Sequence, residues 1–363
     1  MGIGGSGASA VAAIAQAQGF EVTGCDKEVH NEFTGHFSKD QLFQGHSDTH
    51  LRGAVPDILA ISPAITSFDP NNQELKAAKD QGIEILTWQQ FMGKYLEQDK
   101  FVIAICGTHG KSTTTALAGI LLEDAGLDPT VELGTNIARW NGNFRVGKSK
   151  YFITEADEFN DNFLVSKPDI AIVTTIEMDH PEFFKDFEDY KQSYIEFLSS
   201  VKGTIIANMA DPGVAVVLKV VMKQSPVTVL DYSKSDFNLE LQIPGDFNKL
   251  NASAVFQLGL TLDLQPEVIK KSLSNFSGLG RRFDLIGNYK GAEVYSDFAH
   301  HPTEVRVTLA AARQKWPRKM IWVIFQPHLF SRTQALFDDF VGVFKNAPVD
   351  GLSIMNIYPS REV

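Results

Sequence analysis

Cysteine is scarce: Cys25 and Cys106 are the two thiols in 363 residues, and both stand in apolar, strand-like runs. That usage disfavours a disulfide framework or a structural zinc site and suits a reducing cytoplasm. Basic charge is also short. Against 44 Asp and Glu there are 33 Lys and Arg, a formal net charge of −11, which disfavours a general affinity for nucleic acid or anionic lipid. The longest apolar stretch, VAVVLKVVM at 214–222, is broken by Lys219 and falls well short of the roughly 20 residues that cross a bilayer. No basic residue precedes the apolar part of MGIGGSGASAVAAIAQAQGF, so a secretory signal is not expected. The expectation is a soluble, cytoplasmic protein with no nucleic-acid partner and no membrane insertion. Low-complexity tracts and short-period repeats are missing too.

What is present is core. With 44% hydrophobic and 10% aromatic residues, a chain of this length has room for two or three domains. After Met1, Gly2, Gly4 and Gly7 fit the G-x-G-x-x-G spacing of a dinucleotide loop. Such a loop normally follows a β-strand, and one residue leaves no room for it. Either the glycines do something else or the chain begins inside a domain. Beyond them, an apolar run from Ala8 to Ala17 predicts a helix ended by Gly19. EVTGCD, DILAIS and IEIL predict strands, with a helix around 71–81 between the last two. A polar break, LEQDK at 96–100, precedes a second series: FVIAIC, YFITE, DIAIVTT, a helix near 187–200, TIIANM and VTVLDYS. Helices through NKLNASAVFQLGL and 266–275 lead to SGLGRR at 277–282, which reads as a linker. RFDLIGNY, AEVYSDF, a helix at 302–315, MIWVIF, a helix at 334–345 and LSIMNIY follow. The fold class expected is α/β in three domains, 1–97, 98–277 and 278–363.

FVIAICGTHGKSTTTALAGILLEDAG carries the most chemistry. A buried strand runs into Gly107, Thr108, His109, Gly110, Lys111, Ser112 and Thr113, and a helix follows. Glycines let backbone N–H groups turn inward, Lys111 adds charge, the helix start favours an anion, and the Ser112 hydroxyl is placed for Mg²⁺. Ile105 stands where the longer Walker motif has glycine, so the match is to G-x-x-G-K-S. Two acidic clusters emerge at strand ends, Glu155, Asp157 and Glu158, then Glu177, Asp179 and His180. Strand ends are where open α/β sheets bind ligands, and Glu155 and His180 are the candidate metal ligands.

GTHGKSTTTA, EADEFNDNF, IEMDH, PGDFNKLNASA, GLGRRFD, SDFAHHPTEV and FQPHLFSRT, in that order, resemble the Mur ligases, ATP-dependent amide-forming enzymes of peptidoglycan precursor synthesis. GTHGKS, EADE, RRFD and FAHHPTE look most like the alanine-adding branch. The resemblance implies a UDP-sugar-binding Rossmann-like domain, a central ATPase domain and a C-terminal Rossmann-like domain bearing the amino-acid site. UDP-N-acetylmuramate and L-alanine would be the substrates, and ATP and Mg²⁺ would be the cofactors. ATP would phosphorylate the substrate carboxylate, and the amine would then attack the acyl phosphate. Lys111 would contact the β- and γ-phosphates and Ser112 one Mg²⁺, while Glu155 and His180 would hold a second. Asn248 and Asn251 would meet the adenine, and Arg282 and Asp297 would reach the nucleotide on closure. His300 and Arg332 would help form the amino-acid site. Gly4, Gly5, Ser6 and Gly7 would cradle the UDP diphosphate, with Asp26 facing the nucleoside.

Ile195 stands where several Mur ligases carry a carbamylated lysine, an absence shared with the alanine-adding branch. Leu329 and Phe298 replace residues frequent in that branch, which leaves amino-acid preference open. The missing first strand and an end near NIYPSRE suggest a fragment cut at both termini, inactive or poorly folded at its C-terminus. Alternatives are a murein-peptide-recycling, folylpolyglutamate or cyanophycin-type ligase, an NAD-dependent dehydrogenase built on the opening glycines, and a nucleotide-binding remnant without turnover.

Overall fold

The structure is a computed structural model that describes residues 1–52, 55–235, 239–359 and 362. Its first helix, α1 (Ser6–Ala17), is alanine-rich and is followed by Gly19 at φ 96°, a left-handed stop that glycine adopts without strain. β1 (Gly24–Asp26) pairs in parallel with β2 (Leu42–Gln44), and β3 (Ile58–Ile61) with β4 (Glu84–Thr87). Helices α2 (Pro63–Phe68) and α3 (Gln73–Asp80) connect β3 to β4, and α4 (Trp88–Phe91) runs into a π-turn at Met92–Leu96. The first two residues bond through their backbone to β3 and β1. The Met1 ammonium donates to Ala60 O (2.7 Å), Ser62 N donates to Met1 O (2.9 Å) and Gly2 N to Cys25 O (2.8 Å).

The centre of the molecule is a larger sheet. Its elements are β5 (Phe101–Cys106), α5 (Lys111–Asp124), β6 (Thr130–Ile137), β7 (Gly142–Arg145), β8 (Tyr151–Glu155), β9 (Ile170–Val173), α6 (Phe187–Ser199), β10 (Thr204–Ala207), α7 (Pro212–Gln224), β11 (Thr228–Asp231), α8 (Asp246–Thr261) and α9 (Pro266–Ser274). Among the described residues the strand order is β11-β10-β9-β5-β8-β6-β7, parallel except for β7, which runs antiparallel to β6. β5 shows why the apolar run has no gap. Ile103 and Ile105 enter the core under α5, α8 and α9, while Ala104 and Cys106 enter the one under α6 and α7. A strand covered on both faces must be apolar at every position. The β6–β7 hairpin was not expected from the sequence. VAVVLKVVM lies in α7, where Val214, Val217, Leu218 and Val221 are buried at helical spacing.

The last unit comprises the antiparallel pair β12 (Asp284–Tyr289) and β13 (Ala292–Ser296), then α10 (Pro302–Lys315), β14 (Trp322–Phe325), α11 (Phe330–Ala335), α12 (Phe337–Lys345) and β15 (Gly351–Ile354), which pairs in parallel with β14. The helix expected at 334–345 is two helices that meet at Leu336. The architecture is α/β, as expected. α1 does not stand apart from the centre: Val11, Ile14 and Ala15 share one core cluster with Leu96, Val102 and Phe152.

Candidate functional site

The loop between β5 and α5 is shaped by two glycines. Gly107 and Gly110 have φ of 128° and 84°. A side chain at 107 would strike the Thr174 hydroxyl, and one at 110 would sit 2.7 Å from Asn251 Oδ1. Lys111 Nζ donates to Gly107 O (2.7 Å) and Glu158 Oε2 (2.8 Å), and Glu158, fully buried, accepts from the Tyr190 hydroxyl at 3.0 Å. Burial works against the lysine's charge, but Glu158, Asp157 and Glu155 outweigh it and hold its pKa above the ordinary range. The ammonium is therefore desolvated, charged and directed at the loop.

Ser112 and Glu155 meet in front of that loop, the hydroxyl close enough to favour the charged carboxylate. The Glu155 pKa is raised, chiefly by burial, and its Oε1 is buried without a hydrogen-bond partner among the described residues. An orphaned carboxylate oxygen beside a hydroxyl at the head of a phosphate loop fits a hard, oxygen-seeking cation such as Mg²⁺. Behind it lies Glu132 of β6, which accepts from Thr154 Oγ1 (2.8 Å) and Glu155 N (3.2 Å); burial and the charge of Glu155 push its carboxyl up to about 8. Glu132 escaped the sequence reading because its strand did. His180 was expected to share a metal ion with Glu155. It groups with Asp157 and Glu158, with ligand atoms within 4.8 Å of one another, and its Nδ1 lies 3.3 Å from Glu182 Oε1.

A cavity of about 200 Å³ opens beside the loop. His109, Gly110, Ser112 and Thr113 line it from the loop, Asn248 and Asn251 from α8, and Arg282 and Asp297 from the last unit. These residues span almost 190 positions of sequence, and folding gathers them around one space. Asp297 is pinned by Phe283 N and Ala299 N, both at 2.8 Å.

The last unit is docked over this cavity by polar contacts. His109 is held between Glu177, by a short hydrogen bond from Nε2, and Glu304, 3.2 Å from Nδ1. Burial would lower its pKa, but the two carboxylates raise it to about 9. Thr303 Oγ1 donates to Glu177 Oε2 (3.2 Å), and Arg282 Nη1 lies 3.8 Å from Glu304. Arg332, 2% exposed, donates from Nε to Asp179 Oδ1 at 2.9 Å, and Asp179 is itself 4% exposed. Burial favours the neutral acid at Asp179, yet His180 and Arg332 keep it well below the usual carboxylate range. The ring of His300 lies 5.8 Å from that of His328, whose Nδ1 is 3.4 Å from Arg332 Nη1. His300 and Arg332, expected to share a pocket, are thus brought together. Glu304 was missed as a docking residue because its place in the first turn of α10, three residues after His301, reads as a helix cap.

The model of the Mur ligase family, catalytic domain, matches residues 1–100; that of the Mur ligase middle domain matches 105–243; and that of the Mur ligase, glutamate ligase domain, matches 281–361. The UDP-N-acetylmuramate--L-alanine ligase of Clostridium kluyveri is 34% identical over all of this chain and 83% of its own length, and that of Arthrobacter sp. is 36% identical over 81% of its length. Among solved structures, UDP-N-acetylmuramate-alanine ligase from Thermotoga maritima superposes with a TM-score of 0.79 at 25% identity, covering 99% of this chain and 85% of that one. The chain belongs to the Mur ligase family.

In this Mur ligase the opening glycines are not free loop. Gly4 N donates to Asp26 Oδ2 (2.9 Å) and Gly5 N to Gly2 O (3.1 Å), while Ser6 O accepts from Asn143 Nδ2 (2.6 Å) on β7. A Cβ on Gly7 would meet Trp88 Cζ2 at 2.5 Å, so that glycine is required by the approach of α1 to α4. Asp26, expected to face a nucleoside, is the acceptor of that Gly4 N–H. Among the described residues no helix is long and apolar enough to cross a membrane.

Proposed function

We propose that this Mur ligase joins L-alanine to the carboxylate of UDP-N-acetylmuramate at the expense of ATP, through an acyl phosphate. The observation that carries the reading is the likeness, over the whole chain, to ligases of that name, taken with a phosphate loop and cavity built jointly by the central and last units. We take residues 1–97, 98–277 and 278–363 as the UDP-sugar, ATPase and amino-acid portions. Membership of the family accounts for the GTHGKS loop, which an NAD-dependent dehydrogenase would leave unexplained.

Lys111 is the group we assign to the β- and γ-phosphates; a bound phosphate would replace Glu158 as the partner of an ammonium that is already desolvated. Ser112 and Glu155 would hold Mg²⁺, which supplies charge neutralisation at the phosphoryl oxygens. His180, grouped with Asp157 and Glu158, offers a second set of ligands beside Lys111. Asn248 and Asn251 would meet the adenine edge, where amides satisfy both donors and acceptors. Arg282 and Asp297 would close on the nucleotide from the other side, and His300 and Arg332 would line the amino-acid pocket. Gly4, Gly5, Ser6 and Gly7 would form the diphosphate cradle, with Asp26 facing the nucleoside. Docking by Glu304 and Arg332 places these groups together before reaction and excludes water from the acyl phosphate.

The test is phosphate release, with product mass, from UDP-N-acetylmuramate and ATP–Mg²⁺ offered L-alanine, glycine, L-serine or a tripeptide. L-alanine should be used in preference to the others. Turnover with the tripeptide alone would assign the chain to peptide recycling instead.

A further inference from the structure

A cluster of ligating side chains lies outside the reaction site, under the glycine loop of the first unit. Cys25 Sγ, at the middle of β1, lies 3.2 Å from His46 Nδ1 and 3.3 Å from each oxygen of Glu74. His46 Nδ1 is 3.8 Å from Glu74 Oε2. Cys25 and Glu74 are 3% and 2% exposed. The three ligands come from three separate places: β1, the turn after β2, and the first turn of α3. A fourth residue supports them, since His50 Nδ1 lies 3.2 Å from Glu74 Oε1 and its ring stacks on Phe43. Ser47 N donates to the other carboxylate oxygen at 3.0 Å.

The spacing of the ligand atoms is close to that of a metal site. With Zn–S near 2.3 Å and Zn–N and Zn–O near 2.0–2.2 Å, the edges of a tetrahedron are roughly 3.3–3.6 Å. The three edges here, taken with Glu74 Oε2, are 3.2, 3.3 and 3.8 Å, within about 0.2 Å of that range. Thiolate, imidazole and carboxylate together are the donors of a borderline-soft divalent cation rather than of Mg²⁺. A histidine on the outer side of the carboxylate is the kind of partner that orients a metal ligand.

We propose that Cys25, His46 and Glu74 form a Zn²⁺ site, with His50 as the positioning residue on the Glu74 carboxylate. Binding exchanges the Cys25 thiol proton for a Zn–S bond, and the proton leaves to solvent. The ion ties β1 to the turn after β2 and to α3. Because Cys25 O accepts from Gly2 N and the next residue, Asp26, holds Gly4 N, it also stiffens the strand end that carries the glycine loop. The scarcity of cysteine argued against structural zinc from the sequence; one cysteine suffices once folding supplies an imidazole and a carboxylate.

The test uses the full chain, loaded with Zn²⁺ or Co²⁺ and passed through a desalting column. The wild type should retain one equivalent of zinc, melt at a higher temperature with zinc than with chelator, and give with cobalt a thiolate charge-transfer band in the near ultraviolet. Cys25→Ser should lose the band and the thermal shift, His46→Gln should do the same, and His50→Gln should weaken binding by roughly 10–100-fold. Absence of the band in wild type, or a band that survives Cys25→Ser and so arises from Cys106, would overturn the proposal. Measuring the band on the wild type keeps the test decisive even if a variant fails to fold.

Discussion

In the central unit β5 and β9 are buried along almost their whole length, whereas on β14 of the last unit Trp322 and Ile324 are 67% and 75% exposed. Both are parallel strands in βα alternation. The first pair lies between two core clusters; the second leans on a core of few fully buried residues, Val305, Leu309, Phe325 and Phe340. The central unit can therefore hold a glycine loop and buried charges in fixed positions. The last unit reaches the site through ion pairs and hydrogen bonds, contacts that can break and re-form as substrates enter and leave. A rigid half builds the phosphate site, and a half held by polar contacts completes it.

The comparison can be broken at its rigid side first. Lys111→Ala should lower phosphate release by on the order of 10³-fold and, because it leaves the buried Glu158 without its ammonium partner, should also lower the melting temperature; a variant with residual turnover above a tenth of wild type would remove the loop from the reaction. Next in size is the docking side. Arg332→Ala leaves the buried Asp179 with His180 alone opposite its charge, which costs up to about 3 kcal/mol, and should appear as faster hydrogen exchange in α11 with the amides of β5 still protected. Equal loosening of both would mean that the two halves are one cooperative body.

A smaller effect is expected from His109. Its folded pKa of about 9 lies above the ordinary histidine value, so its contribution is complete below about 6.5 and is lost as pH rises through about 9. Differential scanning at pH values across that window should show the melting temperature falling by a few degrees, and His109→Gln should flatten the fall. The smallest effect lies away from the docking surface. Glu97 is buried, its Oε1 has no partner among the described residues, and burial raises it to about 7. A raised carboxyl stabilises most below its unfolded value and loses that contribution as pH rises through about 7. Glu97→Gln should therefore raise the melting temperature at pH 8 and leave it unchanged at pH 5.

Much of the site was legible because its motifs are local. The strand, glycines, lysine and helix of residues 101–124 are adjacent in sequence, and their chemistry needs no distant partner to be recognised. Glu132, by contrast, sits in a strand of mixed polarity whose neighbour is a short antiparallel edge strand, so no clear period marked it. Glu304 satisfied a local capping pattern and gave no sign of the second oxygen it offers to His109. Cys25, His46 and Glu74 are 21 and 28 residues apart, and neither gap matches a short metal motif.

By itself the sequence determined the α/β alternation, the phosphate loop and the family signatures, since each depends on residues within a few turns or one strand of one another. Tertiary structure decided the rest. It bonded Met1 and Gly2 to β3 and β1, grouped His180 with Asp157 and Glu158, set Glu304 and Arg332 as the hold between two units, and gathered a thiol, an imidazole and a carboxylate from three segments. The physical reason is common to all four. Each is a contact between groups far apart along the chain, whose energy comes from burial and pairing that exist only once the chain has folded.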